Sequence, residues 1–283
     1  MEAINSRIFS SEENSFANDL KKFTDINNKV DHQKKKIYVK KFKSNLIKIV
    51  PIADIHMGHK NCNIAKLRDI IDFVLNTKDC YCVLLGDQTE CATKTSIGMA
   101  TLEQDFSLGD QIKFLTELFT PLAKAGKILG INTGNHEYRL SQFAGIDPAQ
   151  ILAAKLEVPF LGWQGYLGIE VNGIRYDISS FHGVGGGTAK SSKIKAIKKV
   201  EDIADCDLYI IGHLHDKVDD SVIRYKFDYE KEELVPYVRK YALCGSFLEY
   251  WNSYSEMKAL APSITGSPLI TLSGKKKEIQ IYK

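Results

Sequence analysis

The chain has 283 residues, 44% hydrophobic and 26% charged, with a net charge of +3. That length supports one large core or two smaller ones, and the composition excludes a disordered chain. The charge is too small to argue for nucleic acid by itself, and no apolar run reaches the roughly 18 residues of a spanning helix. The polar start, Met1 to Arg7, lacks an apolar signal core, so a reducing cytoplasm is expected. The six cysteines, Cys62, Cys80, Cys82, Cys91, Cys206 and Cys244, contain no CxxC pair and read as buried free thiols.

Residues 1–45 are polar and carry Lys34-Lys35-Lys36 and Lys40-Lys41. Phe16, Leu20 and Phe23 have the spacing of a short amphipathic helix, and Ile37, Val39 and Phe42 suggest an edge strand. The segment reads as an appendage to a main domain over 46–283.

That domain opens on the β-branched run from Leu46 to Ala53, a buried strand ending at Asp54-Ile55-His56. If extended geometry continues, Asp54 and His56 point to one side. Ile64, Leu67, Ile70, Ile71 and Val74 predict a helix over about 63–76. Tyr81 to Leu85 is a second strand, ending at Gly86-Asp87, and 91–108 is a loop. Ile112, Leu115, Leu118, Phe119 and Leu122 predict a helix kinked near Pro121. Ile128 to Ile131 is a strand ending at Gly134-Asn135-His136, and Pro148 starts a helix through Leu156.

Further on, 167–171 and 174–178 flank Asn172-Gly173, a hairpin signal, and the second strand leads to His182. Ile194, Ile197, Val200 and Ile203 suggest a helix with its lysines outward. Leu208 to Ile211 is a strand ending at Gly212-His213, and antiparallel strands follow near 218–228, 234–244, 268–273 and 278–282. The fold class is α/β, two sheets with helices outside.

Asp54, His56, Asp87, Asn135, His136, His182, His213 and His215 all follow apolar strands. In open α/β sheets the ligand site lies beyond the carboxyl ends of the strands. Carboxylate and amide oxygens mixed with imidazoles suit Mn, Fe, Zn, Co or Ni better than Ca or Mg. A Gly-Asp or Gly-Asn pair alone is an ordinary turn; eight such groups in order are enough for a two-metal site of the kind used in phosphoryl hydrolysis.

Asp54-Ile55-His56, Gly86-Asp87, Gly134-Asn135-His136-Glu137, His182 and Gly212-His213-Leu214-His215 together resemble the ordered signature of the calcineurin-like metallophosphoesterases, over about 46–283. The likeness is greatest to phage- and prophage-encoded members, which share the glycine-rich stretch 182–187, Gly245-Ser246-Phe247-Leu248 and Glu256-Met257-Lys258. The resemblance implies a four-layer sandwich of two mixed sheets flanked by helices. It implies two divalent transition-metal ions, Mn first among them, and a location in the cytoplasm of a bacterial host. Asp54, His56 and His215 would bind one ion, Asp87 would bridge, and Asn135, His182 and His213 would hold the other. His136 would protonate the leaving oxygen. Glu90 matches a carboxylate that orients this histidine, although the family usually has Asp or Asn there.

The substrate is less legible. Arg139 offers a bidentate phosphate clamp, and a surface salt bridge is the plainer alternative. His59 lies just past the first motif. Lys190, Lys193, Lys195, Lys198 and Lys199 form either a track for a polyanion or a solvated helix face. Tyr138, Trp163, Tyr166 and Phe181 offer base stacking or packing. The favoured expectation is a phosphodiesterase acting on nucleic acid or nucleotides, cyclic ones included. A phosphomonoesterase is the alternative, and a small-metabolite or lipid-headgroup hydrolase has no positive signal. A non-enzymatic metal-binding scaffold is disfavoured because every ligand position and His136 are filled. No membrane partner is expected, and a homodimer is compatible with the sequence.

Overall fold

The computed structural model describes residues 35–93, 96, 104–186 and 189–283, without the side chains of Lys190 and Tyr254. The helix expected over Phe16, Leu20 and Phe23, and Lys34 of the lysine cluster, lie outside the described residues. The chain divides after Lys36, and the unit carrying the site runs from Ile37 to Lys283.

Two mixed six-stranded sheets face each other. One has the order β12 (Ile279–Tyr282), β11 (Leu269–Ser273), β2 (Leu46–Ile52), β3 (Cys80–Leu85), β4 (Ile128–Asn132), β5 (Phe160–Gly162). Its strands β2 to β5 are parallel, and β11 is antiparallel to both β2 and β12. The other has the order β1 (Tyr38–Phe42), β6 (Gln164–Val171), β7 (Ile174–Phe181), β8 (Leu208–Ile211), β10 (Glu233–Leu243), β9 (Val218–Asp228). Here β10 is antiparallel to β9 but parallel to β8. The edge strand β1 falls inside the segment expected as an appendage, because Tyr38 to Phe42 pair in parallel with Leu167 to Val171.

Alternation along the strands builds three apolar layers. Ile47, Ile49, Val83, Leu85 and Leu129 meet Leu167, Ile169, Tyr176, Ile178, Leu208 and Ile210 between the sheets. Val50, Ile52, Cys82, Leu84 and Ile131 point the other way, under α1 (Ile64–Asn76), α2 (Leu108–Lys124) and α4 (Pro148–Leu156). Parallel strands buried on both faces carry such continuous apolar runs. Beyond the second sheet, Tyr209, Ile211, Tyr241 and Leu243 pack against Ile197 of α5 (Lys190–Lys198). The fold is therefore α/β with helices on both outer faces of a two-sheet sandwich. No helix among the described residues is long and apolar enough to cross a membrane.

Local chemistry explains most boundaries. Asp147 caps α4 by accepting from Ala149 N–H, and Pro148 fills the first helical position. Asn172 and Gly173 both have positive φ, as a two-residue primed turn requires. All six cysteines are free, and Cys80 and Cys82 share one core layer. Several elements differ from expectation, among them the unpredicted strand β5. A helix α3 (Asn135–Ala144) starts directly at the third strand's polar end, and α5 stops at Lys198 rather than running to Ile203. Beyond it, Glu201 turns to accept from Arg239, Arg224 and the Tyr241 hydroxyl, which draws the chain out of the helical path. A short helix α6 (Tyr254–Met257) lies in the C-terminal region.

Lys127 shows how one side chain closes an element. Its Nζ donates to the carbonyls of Val74, Leu75 and Thr77 at 2.6, 2.8 and 2.8 Å, satisfying the end of α1 with a positive charge. Lys127→Met should lower unfolding stability by about 2 kcal/mol. Urea titration checks this, and a midpoint unchanged at constant slope would contradict the capping role.

Candidate metal centre

The polar strand ends converge on one edge of the sandwich. The segments after β2 and β3 run side by side: Asp54 N–H donates to Gly86 O at 3.2 Å and His56 N–H to Asp87 O at 2.9 Å. Asp54 and His56 are not extended. Their φ values are 53° and 52°, and those of Asp87, His213 and His215 are 49°, 68° and 47°. Each left-handed L-residue costs about 1–2 kcal/mol, and Asp and His are among the types found there most often. The two side chains reach a common centre through a coiled turn, rather than through the strand alternation expected from their spacing.

Two glycines let the loops close. A Cβ on Gly134 would sit 2.2 Å from Asp87 Oδ1 and 2.3 Å from Asp87 N. Gly86 has a φ of +90°, and a Cβ there would meet the Gly134 backbone at 2.8 Å.

Two sets of ligand atoms result, each within 4.8 Å of one another: Asp54, His56 and His215, and Asp87, His182 and His213. A third set, His56, Asp87 and His136, joins them. Asn135 Oδ1 lies 2.9 Å from His182 Nε2, which places it in the second set. Asp87 Oδ2 is 3.2 Å from His182 Nε2, 3.7 Å from His136 Nε2 and 4.0 Å from His56 Nε2, so it stands between the sets.

Three of the imidazoles are turned by a partner outside the centre. His182 Nδ1 donates to Leu85 O at 2.9 Å, His213 Nε2 to Gly185 O at 2.9 Å, and His56 Nδ1 to Glu90 Oε2 at 2.9 Å. The other ring nitrogens are left facing inward, the arrangement that orients metal-bound histidines. His56 Nε2 and His215 Nε2 face each other at 3.3 Å. Asp54 Oδ2 accepts from His213 N–H at 2.8 Å, while its buried Oδ1 has no hydrogen bond and lies 3.3 Å from His215 Nε2.

The electrostatics fit a cation. Burial opposes charge on Asp87, but His182 and His136 hold its carboxyl well below the usual range, and His215 lowers Asp54 in the same way. Burial opposes charge on His182 too, yet Asp87 lifts that ring to about 10, while burial presses His56 and His136 down to about 4. Two buried carboxylates, an orphaned carboxylate oxygen and converging imidazole nitrogens are a donor set that divalent transition metals suit. The residues present fit such ions.

His136 stands at the margin. Its Nδ1 donates to the backbone carbonyl of Glu90 at 2.7 Å, and Arg139 Nη2 lies 3.0 Å from its Nε2. The Glu90 carboxylate is nearer to His56 than to His136, at 2.9 Å against 3.5 Å. It is the Glu90 main chain that directs His136, and the side chain that directs a ligand histidine.

The residues expected at substrate are scattered. His59 is buried in the turn after β2, its Nδ1 accepting from Asn61 N–H at 3.0 Å. The Lys190 side chain lies outside the described residues. Lys193 and Lys198 are paired with Asp216 and Asp220 at 2.8 and 3.0 Å, leaving Lys195 and Lys199 exposed. Tyr166 and Phe181 pack on the outer core, whereas Tyr138 and Trp163 are half-exposed and meet edge to face at 4.9 Å.

Glu137 had no role in the sequence reading. Fully buried, it accepts from Asp87 N–H, Gly134 N–H, Thr89 N–H and the Thr89 hydroxyl at 2.9, 3.0, 2.9 and 2.9 Å. Burial raises its carboxyl to about 7, with Asp87 adding to the rise. The only trace in the sequence is Glu at the third helical position after a Gly cap, half of a capping box.

No family model matches the chain, and no curated protein matches it. Solved structures similar to it include a conserved uncharacterized protein, a predicted phosphoesterase, from Streptococcus pneumoniae TIGR4, at 12% identity and a TM-score of 0.37, covering 84% of this chain and 90% of that one. Vps29 complexed with Zn from Entamoeba histolytica is similar at 12% identity and TM-score 0.40, over 83% of this chain and 97% of that one. GAP50, the anchor in the inner membrane complex of Plasmodium, is similar at 12% identity and TM-score 0.44, over 85% and 89%. Likenesses this remote carry no argument about this chain's chemistry.

Glu137→Gln would turn an amide NH2 toward N–H donors at one of its two oxygens. A loss of roughly 2–4 kcal/mol is expected, since buried donors left unpaired cost about 1–3 kcal/mol each. Isothermal titration with Mn should show weaker binding as well. Full stability and full affinity together would mean that Glu137 does not hold the loops.

Proposed function

We propose that this chain is a calcineurin-like metallophosphoesterase that hydrolyses phosphodiester bonds of nucleotides or nucleic acid with two divalent transition-metal ions, Mn first among them. The observation that carries the reading is the pair of ligand sets meeting at Asp87 with His136 and Arg139 beside them. Asp54, His56 and His215 would hold one ion, Asn135, His182 and His213 the other, and Asp87 would serve both. Bound there, the ions would act as Lewis acids on phosphoryl oxygens and make water a better nucleophile near neutral pH.

The chain's own residues do the rest. The Glu90 carbonyl keeps the proton on His136 Nδ1, so Nε2 is the atom turned to a substrate. Arg139 now occupies that atom's side. An incoming phosphoryl group gives Arg139 a bidentate partner and places an anion next to His136, which favours the protonated ring. Nε2 then passes its proton to the departing oxygen.

The diester preference rests on charge. Arg139 is one cation next to the ligand sets, and a monoester dianion gains from several. Of the basic rim, Lys193 and Lys198 are already neutralised by aspartates. A small nucleotide diester is therefore favoured over a long polymer, with Tyr138 and Trp163 as an aromatic surface for a base.

With Mn supplied, bis-p-nitrophenyl phosphate should be cleaved with higher kcat/KM than p-nitrophenyl phosphate; the reverse order replaces this reading with a phosphomonoesterase. Single- and double-stranded DNA, RNA and cyclic nucleotides assayed in parallel identify the diester class. Asp87→Ala should lose both ions by elemental analysis as well as turnover. His136→Ala should keep both ions and lose about 10²–10⁴-fold in kcat, less with good leaving groups. Equal losses for p-nitrophenyl and alkyl leaving groups would remove His136 as the proton donor.

A further inference from the structure

The hairpin of β9 and β10 overhangs the sandwich. Both strands have 11 residues, yet β8 pairs only with Lys240 to Leu243 of β10. Residues 233–239 of β10 have β9 as their sole neighbouring strand, so the distal half is a two-stranded ribbon.

Its two faces differ sharply. Directly opposed residues of an antiparallel pair share a face. Ile223 faces Val238, Tyr225 faces Pro236, and Phe227 faces Leu234. Over these three pairs the face is apolar. Its register continues through the polar pair Lys240 and Ser221 to Ala242, which lies in the core between the sheets. The ribbon thus extends the inner face of the sandwich past the point where the other sheet covers it. The opposite face carries Arg224, Lys226, Asp228, Glu233 and Arg239. There Arg224 and Arg239 both pair with Glu201, and Lys226 lies over the Tyr237 ring.

The apolar face is left open. Ile223, Tyr225, Phe227, Leu234 and Val238 are 61%, 63%, 74%, 55% and 45% exposed. At about 150–250 Å² for an aromatic side chain and less for an aliphatic one, the patch exposes on the order of 600 Å². That is at the upper end for a monomer's largest apolar patch.

We infer that this ribbon face is the seat of a second copy of the chain, joined face to face in a two-fold dimer. Two equal patches remove on the order of 1,200 Å² from water, enough for a specific interface. Over the three distal pairs the face has no charged side chain, and Lys240, Lys276, Lys277 and Glu278 line only its proximal margin beside Pro236 and Val238, so the match for the distal half is another flat apolar β surface of similar size. The chain presents such a surface itself, and an isologous contact needs only that one patch. Stacked sheets lie about 10 Å apart with aromatic and aliphatic side chains interleaved, and the rows of Ile223, Tyr225 and Phe227 are spaced for that packing. The clustered Asp and His residues lie at the other end of β8 and β10, so the dimer does not depend on the activity.

Sedimentation equilibrium of the full chain tests this. A dimer is expected at roughly micromolar concentration. Tyr225→Lys combined with Phe227→Glu should weaken it by about 100-fold or more, as loss of two central aromatic anchors does. The variant should keep the far-ultraviolet dichroism and the hydrolysis of a small chromogenic diester. A wild-type chain that stays monomeric to roughly 100 μM overturns the inference, as does a variant that dimerises like wild type. If the wild type is monomeric and the substitutions lower its melting temperature, a segment of the same chain covers the face and the dimer is excluded.

Discussion

The centre depends on one buried carboxylate that is not itself a ligand. Glu137 holds the segment after β3 to the start of α3 through four hydrogen bonds, and no solvent reaches it. Those bonds set Asp87 and Asn135 next to each other. Gly86 and Gly134 supply the closeness that any Cβ would prevent. The left-handed backbone at five of the clustered residues is a cost that only such a fixed frame sustains. Negative charge at Asp87 and Asp54 is then gathered in a water-poor space, where the imidazoles balance part of it. A site built this way is strained and charged before anything binds, and a bound cation would offset the charge.

Much of this was legible in the chain. Apolar runs of β-branched residues marked the strands, and the polar residues after them are the ones the structure gathers into two clusters, because parallel strands place their carboxyl ends together. Other features had no sequence signal. The three-residue β5 is too short for a periodic pattern. In α3 the buried positions reduce to Glu137, so no apolar stripe announces a helix. Extended geometry was the natural reading for Asp54 to His56, yet the backbone coils, since a turn's handedness follows from contacts made by distant loops. Glu90 was expected to direct His136 with its carboxylate. The side chain goes to His56 and the main chain to His136, a choice of rotamer that residue type does not encode.

The lysine cluster could be read from sequence as a track or as a solvated face. Five lysines in ten residues suggest a positive track, but the partners of Lys193 and Lys198 come from other elements. Asp216 follows the last ligand histidine and Asp220 lies on β9, so the pairings exist only after β8 and β9 are placed. Residual charge, not composition, is what a polyanion would meet. The same tertiary logic separates the two faces of the ribbon, where one is occupied by ion pairs and the other is left apolar.

The strand order has a consequence for how the molecule comes into being. β2 pairs with β3 and also with β11, joining Ile49 to Ile270, and β1 waits for β6. Ligands come from both sheets, Asp54 from one and His215 from the other. During synthesis the first sheet cannot close until nearly the whole chain has emerged, so its unfinished edge stays open to wrong partners for that time. The candidate metal centre is among the last parts to be assembled, and a chain truncated before β11 would carry every residue of both clusters yet lack the strand that seats the first of them.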